Sequence, residues 1–550
     1  MPAMIQQVLR VIPLGGLGEI GRNMLVLEYD EQLLIVDAGL MFPDADMYGV
    51  EYIIPDFTYV VERVEQVLGI VVTHGHEDHI GALQHLLRQV PVPVYATPLT
   101  RALIQSRVRD ARGVATQMID IKPRDRFQLG PFTIECFHMS HSIPDTLGLA
   151  IETPLGLVVH SGDFKLDASP ADGLPSDIER LTSYGERGTL LLLSDSTNAE
   201  SPGTTASEQA LGVNLRNLFE TAPGRVVIAM FASNISRVQQ VADIARATGR
   251  RIALVGKSMV NNVRIASELG YVNIDPTLFI PASQLHSLPD REAAIICTGS
   301  QGESASALVR MGMGDSSALS LQPGDTVIVS AAPIPGNEES VNRTLDNLFR
   351  LGAQVYYDDV YDVHVSGHAS QEELKELIRL VRPRYLMPIH GEYRHLVWHR
   401  RLAESFGMLP ENIFVLESGD VLEITNSGAV LGERIGVETV YVDRSGKTTI
   451  GAETLAERSM LSQDGILVVT VNLDKYTGGL VGTAHFMSRG MLTSADAEAL
   501  YKQLREPVAT AVNLGGSKNE LTKRLDYLVA RLVEDLTGRR PVIVVQVLKV

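Results

Sequence analysis

Apolar positions along this chain fall into two rhythms. Over the first two hundred residues, short apolar runs alternate with turn-forming residues, at 8–12, 24–27, 33–36, 70–72 and 92–95, then 132–137, 148–152, 156–160 and 190–194. Runs of this length, bounded by Gly, Pro, Asn and Asp, predict strands. Helical spacing of apolar residues appears at about 80–90 and 98–110. Paired strands with interspersed helices imply a two-sheet α/β sandwich. From about residue 205 the rhythm changes to helix 206–220, strand 225–229, helix 234–247, strand 251–255 and helix 259–268. Strands 294–297 and 326–329 and helix 339–350 follow. Such regular alternation predicts a parallel sheet with right-handed crossovers. A helix over 371–381 then leads to a strand over 385–390. Residues 436–460 read as a turn-rich linker, and 461–550 as a small α/β domain with helices 494–506 and 517–537 and a last strand at 541–548.

Composition narrows this picture. At 550 residues the chain is too long for one core, and 45% hydrophobic with 21% charged residues is ordinary for a globular protein. Its two cysteines, Cys136 and Cys297, lie in apolar stretches and make no disulfide framework, so a reducing cytoplasm is expected. The first residues lack the basic and apolar segments of a signal peptide, and no apolar run is long enough to span a bilayer. A net charge of −18 argues against a protein that coats duplex nucleic acid nonspecifically. It does not exclude a nuclease, because metal ions and local basic groups can neutralise a few phosphates in a groove.

Candidate chemistry concentrates at Thr73-His-Gly-His-Glu-Asp-His-Ile-Gly81, which follows an apolar strand. Imidazole and carboxylate are ordinary ligands of zinc and manganese. In an extended segment alternate residues share a face, so His74 and His76 can approach one ion together. Asp78 and His79 then follow a turn and point elsewhere, which implies a second ion. A structural zinc site would use cysteine, and none lies nearby. Other strands also end in ligand types: Asp37 after Leu-Leu-Ile-Val, His141 in His-Met-Ser-His, Asp163 after His-Ser-Gly, and His390 after Met-Pro-Ile. Together they complete two metal sites. His74, His76 and His141 hold one ion, Asp78, His79 and His390 the other, and Asp163 bridges. Asp37 orients a histidine from behind, and His160 is structural. Gly16-Leu-Gly-Glu-Ile-Gly21 fits a dinucleotide-binding pattern, but the residues after it read as a strand rather than a helix. A glycine hairpin bordering the metal cleft is the better reading.

The series Asp37, His74-x-His76-x-Asp78-His79, His141, Asp163 and His390 resembles the metallo-β-lactamase superfamily, whose fold is a four-layer αβ/βα sandwich. More than two hundred residues separate Asp163 from His390. The alternating β/α block that fills this gap resembles the β-CASP insertion of nucleic-acid-processing members. The subfamily motifs match Asp195 in Ser194-Asp-Ser-Thr-Asn198, His368 in Val365-Ser-Gly-His-Ala369, and His390. Histidine at the third place resembles the RNA-processing type, whereas DNA-processing members tend to carry valine. The segments 13–23, 231–237, 297–303 and 334–338 point further, to the bacterial ribonuclease J family.

The resemblance implies domains at 1–204 with 366–435 (metallo-β-lactamase), 205–365 (β-CASP) and 461–550 (C-terminal). It implies a ribonuclease using two divalent ions, zinc with manganese or magnesium as alternatives, and leaving 5′-phosphate and 3′-hydroxyl ends. Activity on single-stranded RNA would be both endonucleolytic and 5′→3′ exonucleolytic, favouring a 5′-monophosphate. Asp78, Asp195 and His368 form the catalytic group, with His368 the candidate general acid held by Asp195. Ser233, Asn234, Ser366, Gly367 and His368 supply the hydroxyl, amide and glycine chemistry of a terminal-phosphate pocket, and Arg237 is a further candidate RNA contact. His364 and His395 read as structural. The C-terminal domain suggests RNA guidance or dimerisation, and a homodimer or larger homo-oligomer is implied. The rival readings are a DNA nuclease of the same subfamily and a small-molecule metallo-hydrolase.

Overall fold

The computed structural model describes residues 7–44, 46–108, 116–314, 319–446 and 449–550. The first six residues of the supposed non-signal N-terminus, and positions 109–110 of the expected helix 98–110, lie outside them. Two compact units form, one from the residues up to Phe42 with Tyr52–Thr439, the other from Pro43–Glu51 with Val440–Val550.

In the first unit, the apolar runs pair as two sheets. Leu9–Gly15, Met24–Tyr29, Gln32–Val36, Val67–Val71, Val94–Ala96 and Met118–Asp120 make one, extended by Leu422–Thr425 and Gly428–Leu431. Tyr385–Ile389, Thr189–Asp195, Gly156–His160, Leu147–Thr153, Phe132–His138 and Arg126–Leu129 make the other, in that order from its edge. Alternate side chains point to opposite faces of a strand. Leu9, Leu27, Leu34 and Val71 from the first sheet and Ile134, Leu149, Val158, Leu191 and Met387 from the second therefore meet in one buried core. The opposite face of the second sheet buries Val159, Leu192 and Leu386 against Leu181, Leu374, Leu377 and Leu402 of the helices Ile178–Arg187, Gln371–Val381 and Tyr393–Ser405. This is the expected layered sandwich.

The alternating block forms a five-stranded, wholly parallel sheet in the order Arg251–Val255, Ala293–Cys297, Val226–Ala229, Thr326–Val329, Gln354–Tyr356. Its strands are buried on both faces, which is why they read as continuous apolar runs rather than alternating ones.

The second unit carries a three-stranded sheet with Ile466–Leu473 between His485–Arg489, antiparallel, and Val542–Lys549, parallel. Two expectations change here. The helix expected to stop at 506 runs Ser494–Asn513 with Pro507 inside it, because Val508, Ala511 and Val512 continue its buried face. The supposed linker contains the strand Val440–Asp443 and the start of a helix, Ala452–Asp464; positions 447–448 lie outside the described residues. Among the described residues no helix is long and apolar enough to cross a membrane.

Candidate metal centre

The site lies where strands of both sheets end. After Val67–Val71 the chain stays extended to His76, whose backbone (φ −74°, ψ 153°) starts the single helical turn Glu77–Ile80. His74 and His76 precede that turn, and Asp78 and His79 lie on it. The turn is held from outside: Asn23, Ala38 and Leu40 donate backbone N–H bonds to the carbonyls of Asp78, His79 and Glu77. Gly39 makes this approach possible, since a Cβ there would lie 1.5 Å from the Asp78 oxygen. Asp37 and His390, each following a strand end, have positive φ values of 61° and 54°. Non-glycine residues rarely adopt this conformation, and it tends to cluster at functional sites.

Two donor groups result, sharing one carboxylate: His74, His76, His141 and Asp163, and Asp78, His79, Asp163 and His390. In the first, His76 Nδ1 lies 3.1 Å from His74 Nε2 and 3.2 Å from His141 Nε2. In the second, His390 Nε2 lies 3.2 Å from Asp78 Oδ2 and 3.4 Å from Asp163 Oδ2, and His79 Nε2 is 3.3 Å from the same Asp163 oxygen. A third group joins Asp195 and His368 to His390. His368 Nδ1 lies 2.7 Å from Asp195 Oδ2, and its ring stacks on that of His390 at 5.3 Å.

Partners on the far nitrogens fix the tautomers. Thr73 Oγ1 donates to Asp37 Oδ2, so it accepts from His74 Nδ1. His79 Nδ1 donates to Asp37 Oδ2 at 2.7 Å, and His141 Nδ1 to the Gly367 carbonyl at 2.8 Å. Thr197 Oγ1 donates to Asp195 Oδ1 and accepts from His390 Nδ1 at 2.6 Å. Each of these four imidazoles therefore turns Nε2 inward, the atom that offers its lone pair to a metal when the ring is neutral.

Electrostatics separates the two groups. Burial keeps His74 and His141 well below the ordinary histidine value and brings His76 down to about 4. Burial also opposes charge on His79 and His390, but carboxylates outweigh it. Asp163, Asp78 and Asp37 hold His79 well above its ordinary value, and Asp163 with Asp78 lifts His390 to about 9. Burial would raise the Asp78 and Asp163 carboxyls, yet their imidazole neighbours, chiefly His79 and His390, keep both below the usual carboxylate range. One group thus offers neutral imidazoles with converging lone pairs. The other holds two buried carboxylates that favour positive charge beside them, on His79 and His390 or on a cation in place of their protons. Both are environments that a divalent cation satisfies, so the donor set fits a dinuclear metal centre. At His368 burial is again overcome, by Asp195, and its pKa rises.

The other expected residues fall less uniformly. Asn234 Oδ1 accepts from the Arg237 N–H and caps the helix Ile235–Ala247, with Ser233 just before it. Ser366 Oγ accepts from Asn198 Nδ2 and the His368 N–H, and Gly367 allows close approach to His141, where a Cβ would lie 2.7 Å from Cε1. Arg237 is not a surface RNA contact. It is fully buried, pairs through one guanidinium nitrogen with both Glu208 oxygens at 3.0 and 3.1 Å, and donates to Ser330. The glycine-rich stretch runs between antiparallel strands Leu9–Gly15 and Met24–Tyr29, so the dinucleotide pattern lacks its helix. Asn23, at its end, was not singled out in the sequence. Its Nδ2 donates to the Asp78 carbonyl and lies 3.1 Å from His79 Nε2. Thr73 and Thr197 were also missed; a hydroxyl residue beside a motif carries no signal of its own.

Four family descriptions match in succession: a beta-lactamase superfamily domain over residues 26–175, the ribonuclease J beta-CASP domain over 223–348, the Zn-dependent metallo-hydrolase RNA specificity domain over 352–416, and the ribonuclease J C-terminal domain over 453–550. The chain is 39% identical to ribonuclease J 1 of Streptococcus pyogenes, covering 98% of this chain and 97% of that one. It is 39% identical to ribonuclease J2 of Bacillus subtilis, covering 98% of each, and 40% identical to ribonuclease J of Thermus thermophilus, covering 98% and 95%. A crystal structure of a protein of unknown function from Enterococcus faecalis shares the fold at a TM-score of 0.52 and 17% identity, over 78% of this chain and all of that one.

Proposed function

This chain belongs to the ribonuclease J family and is a metal-dependent ribonuclease, and on that premise we propose how its residues divide the reaction. His74, His76, His141 and Asp163 would hold one divalent ion, and Asp78, His79, His390 and again Asp163 the other. When bound, such ions supply a water nucleophile at neutral pH and positive charge for the phosphoryl oxygens. Asp37 and Thr73 fix the rings of His79 and His74. His368 carries a proton on Nε2 and delivers it to the departing 3′-oxygen, while Asp195 keeps that ring charged and oriented. Water rather than the 2′-hydroxyl attacks phosphorus, so the products are a 5′-phosphate and a 3′-hydroxyl. The observation that carries this reading is a single atom: Asp163 Oδ2 lies 3.3–3.8 Å from nitrogens of His79, His390, His74 and His141, which belong to both groups.

Zinc is the proposed metal on the strength of the imidazole-rich first group, and the same donors accommodate manganese or magnesium. Single-stranded RNA is cleaved internally and from a 5′-monophosphate end, with Ser233, Asn234, Ser366 and Gly367 lining the terminal-phosphate pocket. The C-terminal unit forms the contact of a homodimer or larger homo-oligomer, and the cytoplasm is the proposed compartment.

The test uses 5′-monophosphorylated RNA and sequence-matched DNA with Zn²⁺ or Mn²⁺, before and after chelation. RNA-selective, chelator-sensitive cleavage to 5′-phosphate products is expected. His76→Ala is expected to lower it by about 10³-fold or more. Equal cleavage of DNA, or cleavage that survives chelation, overturns the reading.

A further inference from the structure

The parallel-sheet block joins the rest of its unit by two chain crossings, one leaving near Thr205 and one returning through Ser366–Ser370. Both meet at one buried carboxylate. Glu373, 4% exposed, accepts at Oε2 from the backbone N–H of Thr205 (2.7 Å) and of Ser370 (3.0 Å). Its Oε1 accepts from the N–H of Leu166 (2.8 Å), three residues beyond Asp163. The Ser370 bond is half of a capping box for the helix Gln371–Val381, and capping asks for no more than that. The other two bonds bring the outgoing crossing and the Asp163 segment onto the returning one. Thr205 Oγ1 then donates to the His368 carbonyl at 2.7 Å, where Asn198 Nδ2 also donates at 3.0 Å. The backbone of His368 is thus fixed from the outgoing crossing, while its ring is fixed by Asp195.

We propose that Glu373 and Thr205 form a clasp that sets His368 in register with the metal-ligand groups, acting as positioning residues rather than touching substrate. The proposal rests on the reading of His368 as the general acid. The bonding pattern makes each residue type specific. Three N–H donors converge on the Glu373 carboxylate, and a glutamine would present an amide donor to at least one of them. Thr205→Val keeps the shape of the side chain and removes the hydroxyl that reaches His368 and also meets Ser370 Oγ at 2.9 Å. Reactions that depend on positioning can lose about a hundredfold in rate when a group is displaced by about 1 Å.

Thr205→Val, Thr205→Ser and Glu373→Gln are to be made in the otherwise unchanged chain and in a His368→Ala background, with kcat, KM and bound metal measured for each. Thr205→Val is expected to lower kcat about tenfold and Glu373→Gln about a hundredfold, with KM within about twofold. Metal content should be unchanged, and Thr205→Ser should restore the rate. In the His368→Ala background neither change should lower the residual rate further, because the group they position is gone. Equal losses in both backgrounds, or loss of metal, mean a general structural role and overturn the clasp. If His368→Ala slows the enzyme while Thr205→Val and Glu373→Gln do not, the clasp alone falls. If His368→Ala leaves kcat intact, the acid assignment fails and takes the clasp with it. Thr205, only partly buried, keeps the test readable should Glu373→Gln not fold.

Discussion

At the level of single residues, what decides the chemistry of each imidazole is the group on its other nitrogen. Asp195 is the sharpest case, since it lies 2.7 Å from His368 Nδ1 and raises that ring's pKa against the pull of burial. In the general-acid role proposed for it, His368 must hold its proton to be useful, so a raised pKa would extend activity toward higher pH. Asp195→Asn removes the charge, and the His368 pKa should fall. The alkaline limb of the pH–rate profile is then expected to move to lower pH, with kcat down about a hundredfold. An unmoved limb would mean that the pairing does not hold the proton. Several of the converging acidic and imidazole residues stand out in the sequence because they follow an apolar run, as Asp163 and His390 do. Asn23 does not, since a polar residue after glycines looks like turn chemistry. Arg237 was misread for a related reason: sequence shows a charge but not its buried partner.

Elements were legible wherever burial leaves a pattern. The parallel strands stood out as apolar runs because helices cover both faces, and Arg251–Val255 and Thr326–Val329 are placed as the sequence predicts. The helix Ala452–Asp464 reads as a linker in the sequence because none of its residues is fully buried, so it has no strong apolar stripe. Elements also depend on polar contacts that no periodicity reveals. Arg237 from the helix Ile235–Ala247 and Glu208 from Glu208–Thr221 pair out of water, with Lys165 3.5 Å from the same carboxylate. Leaving a buried charge wholly unpaired costs about 3–5 kcal/mol, and Lys165, still beside Glu208, offsets part of that when Arg237 is removed. Arg237→Met is therefore expected to destabilise the fold by about 2–3 kcal/mol in denaturant unfolding. A loss below about 1 kcal/mol would show that the pair contributes little.

For the molecule as a whole, buried histidines outside the donor groups add to its sensitivity to acid. Burial holds His399 down at about 4, and burial together with Arg237 and Lys165 holds His364 at about 3. In the unfolded chain both would take up protons near pH 6.5. Between about pH 6.5 and 4 the unfolded state therefore binds more protons, and stability falls as the pH drops. The contribution is complete above pH 6.5 and is lost on the way down to the folded values, up to about 3 kcal/mol for His399. Denaturation midpoints measured from pH 7.5 downward should show this decline, and His399→Gln should make it shallower. A flat profile in the unchanged chain would contradict the assignment.

The strand Tyr385–Ile389 occupies the edge of its sheet, beside Thr189–Asp195, and delivers His390 last of all the metal-binding candidates. Order of synthesis sets when each donor exists. A ribosome adding about 5–20 residues per second needs roughly ten to forty-five seconds to travel from Asp163 to His390. Through that interval the nascent chain owns every donor of the first group and lacks the histidine that completes the second. The second candidate donor group is therefore complete only once the edge strand has been made. A chain stopped short of residue 385 should consequently be inert toward the message that encodes it.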